Sequence, residues 1–447
     1  MLLSFVSLSN ESYILDRLML NPIRSFIFWL NEAEHVARFQ HYFGIRPLAN
    51  RQPDLIPKIE KKKNINEKNS NNNTTAQLLN GLYNRHHERK VTYDKNVLDE
   101  CLQEIEHSNN QNKTENPNSS DVDYKVTSWF WYYFFQLGSA LGNEIFYILF
   151  FPTWIWNVDG CVARKVSILW AFFMYIGQAS KDILQIPRPS SPPVLQLEKR
   201  YVEEYGFPST HAMFAAGIPF SLVFLSYQRY EFDLTIGLIC ASIICLWVCL
   251  SRIYLGMHSF LDIIGGTIYA LILVFLTFSH VDTIDNFVLD YSSSPILGFL
   301  LGIFLIKCYP SLKQWSTARS DTTIILGSTF GFLSATTVMN KLGLLERPIM
   351  PPIYAILEPD LGLWCLRTII GLLIVATTRQ IVKTIVLRYA CTFYGLDWKN
   401  PDSKRYAKIE MPYYYLTYFI IGFNIAFTCP LAFRALGINR DYSFTEL

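Results

Sequence analysis

Three short polar clusters hold the residue types that phosphoryl chemistry needs. They are KDILQIPRP (Lys181–Pro189), FPSTHA (Phe207–Ala212) and SRIYLGMHSFLD (Ser251–Asp262). Lys181, Arg188 and Arg252 supply fixed cations, and a guanidinium can grip a phosphate bidentately. Ser209 adds a hydroxyl donor. Backbone N–H groups around Thr210, where an apolar run begins, add the positive end of a helix. Two histidines, His211 and His258, remain for nucleophilic or acid–base work. Asp262 follows His258 by four residues, one turn away on a helix. Its carboxylate can hold one ring N–H and leave the other nitrogen free to attack. No His, Cys or carboxylate set has the spacing of a metal site. No metal and no cofactor is therefore expected, and charge stabilisation falls to Arg and Lys.

Taken singly, each residue has an ordinary explanation. An Arg or Lys at the end of an apolar run snorkels or marks a loop. Together they do not. Of eight histidines, only His211 and His258 lie in these clusters, both close to arginines; His280 lies in a polar loop and the others precede the first long apolar run.

The elements that must position the clusters are membrane spans. Hydrophobic residues make up 51% of the 447-residue chain. They fall in runs of roughly 18 to 25 residues, the length that crosses a bilayer core of about 30 Å. The pattern predicts spans near 129–156, 163–182, 211–228, 234–252, 258–280, 295–311, 322–340, 361–385 and 413–437. Lys181 and Arg188 follow the second span, and His211 opens the third. Arg252 ends the fourth, and His258 opens the fifth. Because spans alternate direction, all three clusters emerge on one face. The fold class is thus an all-α, polytopic transmembrane helix bundle of about eight to ten spans. Gly138, Gly142, Asn143 and Glu144 interrupt the first run. It is either one tilted span or a short half-span followed by a full one, and the choice sets which face holds the N-terminus.

Four regions follow. Residues 1–50 hold an amphipathic helix near Ile23–Tyr42. Residues 51–125 are rich in Asn, Lys, Glu and Ser, too polar to offset their ordering entropy, and are expected to be a disordered tail. Residues 126–311 carry the clusters. Residues 312–447 add further helices, which either shape the lipid entry or support the core, with support favoured. A net charge of +2 gives no reason to expect a nucleic-acid partner, and no obligate protein partner is implied. The nine cysteines lie mostly inside apolar runs and are expected to be packing residues.

The clusters resemble the signature motifs of the type 2 phosphatidic acid phosphatase superfamily. That pattern runs Lys, six residues, Arg-Pro; then Pro-Ser-Gly-His; then Ser-Arg, five residues, His, three residues, Asp. Here it reads Lys181, Arg188 and Pro189; Pro208, Ser209, Thr210 and His211; Ser251, Arg252, His258 and Asp262. Thr210 departs from the general Gly. Pro-Ser-Thr-His is instead similar to the sphingosine-1-phosphate phosphatase branch. So are PRPSSPPV, YGFPSTHAM, SRIYLGMHSFLDIIGG and, near the N-terminus, VARFQ (Val36–Gln40).

The resemblance implies a six-helix phosphatase core and a lipid phosphate substrate. His258 would be the nucleophile and Asp262 its orienting partner. Lys181, Arg188, Ser209, Arg252 and the backbone near Thr210 would hold phosphoryl oxygens, and His211 would protonate the leaving alcohol. It also implies an endoplasmic reticulum membrane with the site facing the lumen. Positive-inside counting leans the other way, because Lys307, Lys313 and Arg319 follow the sixth span. The motifs read phosphate and not the lipid tail. Phosphatidic acid, lysophosphatidic acid and polyisoprenyl phosphates stay open as substrates. So do phosphotransfer to another acceptor and, in a different class, binding of phospholipid without catalysis.

Overall fold

Most of the long helices start at a capping side chain. Asp159, Ser209, Asp233, Ser259 and Asp360 each turn an oxygen onto the N–H groups that a first helical turn leaves unpaired. The computed structural model describes residues 21–47, 124–198, 201, 204–310, 317–345, 360–400 and 406–440. The polar tail expected over 51–125 falls almost wholly outside them. Helices α1 (Asn21–Leu30) and α2 (Ala33–Tyr42) precede a two-stranded ribbon of β1 (Ile45–Pro47) and β2 (Tyr124–Val126). Next come α3 (Trp129–Ala140), α4 (Glu144–Asn157), α5 (Gly160–Leu184), α6 (Thr210–Tyr227), α7 (Leu234–Tyr254) and α8 (Phe260–Phe278). The shorter α9 (Val281–Asp290) and α10 (Ser294–Cys308) lead to α11 (Thr317–Lys341), α12 (Leu361–Phe393), α13 (Ala407–Ala426) and α14 (Thr428–Ala435).

The chain is a multi-pass membrane protein with a helical bundle fold. Seven helical segments among the described residues are long and apolar enough to cross a bilayer, with α13 and α14 forming one of them. The eight cysteines among the described residues are all free.

Two expected helices are each divided. The stretch read as one amphipathic helix is α1 and α2, broken at Asn31–Glu32. Its two halves do different things. The Phe26–Trp29 side chains of α1 are exposed, whereas α2 buries Val36 and Gln40. Gln40 is a tie: its Nε2 donates to Leu195 O (2.6 Å) and Tyr254 O (2.9 Å), and its Oε1 accepts from Leu195 N (3.0 Å). That explains the VARFQ segment as a structural anchor.

The first apolar run is α3 and α4, broken at Leu141–Asn143. At about 18 Å, α3 is too short to cross a bilayer core, whereas α4, about 21 Å long, starts beside the clusters and carries the chain on. A side chain at Gly142 would run into the His211 ring, so the chain can turn there only without a Cβ. Helix α3 stays at the end of the bundle that holds the clusters. Phe135 stacks on Tyr254 at 4.5 Å, and Ser139 reaches Arg252. Helix α4 alone runs to the opposite end, where Asn157 meets Thr368 on α12. The N-terminal helices and the clusters therefore share one end of the bundle.

Helix α6 is the axis of the first half, packed on α5, α7 and α8. At the far end, buried ion pairs lock the helix termini, Arg164 with Asp285 (2.5 Å) and Arg229 with Asp159 (2.8 Å). The second half is built on α11 and α13. Lipid tails are as apolar as the helices they surround, so such pairs depend on close packing and small residues. Gly327 and Gly331 of α11 and Gly422 of α13 supply that. A Cβ at Gly331 would strike the Phe419 carbonyl, and one at Gly422 the Ser328 carbonyl.

Candidate active site

Four helix ends and two loops bring the three clusters together. Lys181 comes from the last turn of α5, and Ser209, Thr210 and His211 from the start of α6. Arg252 lies in the last turn of α7, His258 in the loop after it, and Asp262 in the first turn of α8. Arg188 comes from the α5–α6 loop.

Lys181 Nζ lies 3.4 Å from Thr210 Oγ1. Arg188 Nη1 donates to Met257 O (2.6 Å) and sits 3.3 Å from His258 Nε2. Ser209 caps α6, its Oγ accepting from Ala212 N, while its own N–H donates to Asp262 O (3.2 Å). Arg252 Nη1 donates to Ser139 Oγ (2.6 Å). Its Nε and Nη2 are buried with no hydrogen-bond partner, which is costly unless an anion completes the site. His211 Nε2 faces Asn143 Oδ1 at 3.3 Å, and its ring packs edge-on against Tyr201.

The His258–Asp262 relation differs from the expected turn of helix. His258 precedes α8, and Ser259 is its N-cap. Asp262 Oδ2 accepts from Ser259 N (2.8 Å) while Asp262 N donates to Ser259 Oγ (3.2 Å), a capping box. The same Oδ2 lies 3.7 Å from His258 Nδ1. One carboxylate thus starts the helix and faces the imidazole, leaving Nε2 toward Arg188.

The sequence reading missed two acids from the α5–α6 loop. Glu204 Oε2 accepts from Lys181 Nζ (2.9 Å) and lies 3.6 Å from Arg188 Nη2. Its Oε1 accepts from Thr317 at the start of α11. Glu198 Oε2 accepts from Arg252 Nη1 at 2.7 Å. The cations expected to hold phosphate therefore already hold carboxylates. Nothing local marks either glutamate; only the folded loop brings them in. Asn143 and Ser139 were missed for the same reason.

Electrostatics follow from burial among cations. Burial first, then Arg188, Arg252 and Lys181, hold the His258 imidazole well below its ordinary value. Burial also pulls Arg188 down to about 10; Glu204 resists the shift and Arg252 adds to it. Burial alone would raise Glu204, but Lys181 and Arg188 outweigh it and keep the carboxyl below the usual range.

Lys181 and Glu204 side chains are only 1% and 5% exposed, so removing one charge strands the other. Glu204→Gln is expected to cost about 3 kcal/mol or more of stability, as for other broken buried pairs. Thermal melting in detergent would read this as a lowered Tm. Added orthophosphate should recover part of the loss by settling between Lys181 and Arg188. An unchanged Tm would remove the pair from any structural role.

A cavity is lined at its cluster end by Tyr201, Glu204, Thr210 and His211. It extends between α4 and α5 on one side and α11 and α13 on the other. Of the two roles open to the C-terminal helices, shaping the lipid entry and supporting the core, lining this cavity fits the first: α11 and α13 form one wall of it. Among the described residues, no three His, Cys, Asp or Glu side chains converge as metal ligands.

The PAP2 superfamily profile matches residues 163–286, the stretch from α5 into α9 that carries all three clusters. Sphingosine-1-phosphate phosphatase 1 of Rattus norvegicus is 41% identical over 327 residues, covering 70% of this chain and 74% of its own. Sphingosine-1-phosphate phosphatase 2 of Homo sapiens is 37% identical over 324 residues, covering 70% and 80%. A dihydrosphingosine 1-phosphate phosphatase of Schizosaccharomyces pombe is 32% identical over 231 residues, covering 46% and 54%. No solved structure matches the chain.

Proposed function

The chain belongs to the PAP2 superfamily, in its sphingosine-1-phosphate phosphatase branch, and from that premise we propose that it dephosphorylates sphingosine 1-phosphate and related sphingoid base 1-phosphates through a phosphohistidine, without a metal. The observation that carries the mechanism is the placement of His258. Its Nδ1 faces Asp262 and its Nε2 faces the guanidinium of Arg188. A nitrogen held in that way is aimed at whatever phosphate the cations hold.

Nε2 attacks phosphorus in line, forming the P–N bond as the ester P–O bond breaks. Lys181, Arg188, Arg252 and the N–H groups at the start of α6 stabilise charge on the equatorial oxygens. His211 donates its proton to the departing alkoxide, a poor leaving group without one. Now neutral, it takes a proton from water as that water attacks phosphorus. The P–N bond breaks, phosphate leaves and His258 is restored.

The depressed pKa of His258 has a kinetic consequence. The nucleophile must be neutral, and it is neutral above its pKa. Lowering that pKa moves the acid limb of kcat/KM below pH 6.5, so activity persists at pH 6 and falls only under more acid conditions. The readout is the limb that remains once the second ionisation of the substrate phosphate is accounted for; a remaining limb at or above 6.5 would contradict this environment for His258.

The direct test is phosphate release by membranes expressing the chain, in EDTA, from sphingosine 1-phosphate and from phosphatidic acid. Release mainly from the sphingoid ester is expected. Equal release would leave a broad lipid phosphate phosphatase. Release that needs a second lipid acceptor would indicate a phosphotransferase, and lipid binding without release a non-catalytic protein. A strict divalent-cation requirement would defeat the mechanism. On the same family ground we assign the enzyme to the endoplasmic reticulum membrane with its site toward the lumen. Release from sealed vesicles should then rise when a detergent opens them to a non-permeant short-chain ester.

A further inference from the structure

We infer that the cavity between α4, α5, α11 and α13 is the binding chamber for a single hydrocarbon chain, and that Gln178 at its neck reads the amino-alcohol head of the lipid. The inference rests on the phosphatase function proposed above and adds the site for the rest of the substrate.

Position gives the first argument. Thr210 and His211 line the cavity, while His258 and Asp262 lie outside its lining, on the clamp side. In an in-line displacement the leaving oxygen sits opposite the nucleophile, beside the proton donor. The carbon chain attached to that oxygen therefore continues past His211 into the cavity.

Size and lining agree. Along α11 the lining runs from Asp321, at the cluster end, to Phe332. Eleven residues at a rise of 1.5 Å make a depth of about 16 Å. One leaflet of a bilayer core is about 15 Å deep. The deeper walls are mostly apolar, with Phe151, Ile155, Ile325, Val375, Ile421 and Ile425 interrupted by the hydroxyls of Ser167, Ser328 and Thr329.

One buried polar group sets the chemistry at the neck. Gln178 lies one helical turn before Lys181 on α5, is only 3% exposed, and lines the cavity. Its Oε1 is buried with no hydrogen-bond partner. Orphan buried acceptors are rare because they are costly. A sphingoid 1-phosphate carries an ammonium and a hydroxyl on the two carbons next to its ester carbon. That is the distance of roughly one helical turn from the phosphate clamp. Phosphatidic acid offers neither the ammonium nor the single chain.

The test uses the full chain carrying His258→Ala, so that ligand is bound and not consumed. The probe is an 18-carbon sphingoid 1-phosphate with a diazirine near the end of its chain. After illumination, label is expected on peptides of α11 and α13. Narrowing the chamber with Ser328→Phe, or one turn away with Ile324→Trp, should remove most of that label. Label on the outward faces of α7 and α8, or label indifferent to both narrowing variants, would overturn the chamber. With His258 intact, Gln178→Leu should lower the preference for a sphingoid 1-phosphate over a plain alkyl phosphate of equal length by about tenfold or more. An unchanged preference would overturn the role of Gln178. Phosphate release by the unmodified chain judges the phosphatase function separately, because the crosslink reports binding alone.

Discussion

Replacing His258 with alanine is expected to end phosphate release, by roughly 10⁴-fold or more, since no neighbouring group can form the covalent bond in its place. The control is a pair of changes at Asp262. Its Oδ2 both caps α8 through Ser259 N and faces His258 Nδ1. Asn at 262 keeps an acceptor for the cap but loses the charge. It should therefore reduce kcat by less than His258→Ala, with little change in Tm. Ala at 262 should lose the cap as well, costing about 1 kcal/mol of stability. Turnover by the His258→Ala protein at more than a few per cent of the normal rate would end the assignment of the nucleophile.

His211→Ala is the second large effect. Loss of general acid catalysis costs about 10²- to 10⁴-fold when the leaving group needs a proton. The loss should depend on the ester. A sphingoid alkoxide needs the proton, whereas an aryl phosphate leaves without it. The deficit in forming the phosphoenzyme should thus shrink sharply on an aryl phosphate. The following hydrolysis still lacks its base, so protein quenched in alkali, where the P–N bond survives, should carry phosphate on His258. An equal deficit on both esters, with no trapped phosphoprotein, would remove His211 from proton transfer. His211 packs against Gly142 and Tyr201, so His211→Gln serves as a check that lost activity is not lost packing.

Much of this site was legible in the sequence because the informative features are local. Lys181 and Arg188 lie seven residues apart at one helix end, and Arg252 and His258 flank a short turn. Counting alternating spans then brings the clusters to one face. The capping box was equally local: Ser259 followed by Asp262 is a helix-start signature. Reading it would have placed His258 ahead of α8 and not within it. The division of the first apolar run was half legible. Gly142 and Asn143 marked the interruption, but its cause is the His211 ring, nearly seventy residues away. Glu198 and Glu204 could not be found at all, since a charged residue in a polar loop has no periodicity to betray its partner. The same limit hid the contribution of α11 and α13. Their apolar pattern, and the Gly327-to-Gly331 spacing, indicate close packing, but not that the packed pair would wall a cavity.

The two glutamates give the resting enzyme its own counter-anions. Glu204 lies on Lys181 and beside Arg188, and Glu198 on Arg252. Phosphate binding is then an exchange of one anion for another, and the observed affinity is the difference between the two. Product inhibition should be correspondingly shallow. Three cations without such partners would hold orthophosphate more tightly, and competition from Glu204 and Glu198 is expected to speed its release. The loop between α5 and α6 thus carries both counter-anions as well as Arg188 of the proposed clamp.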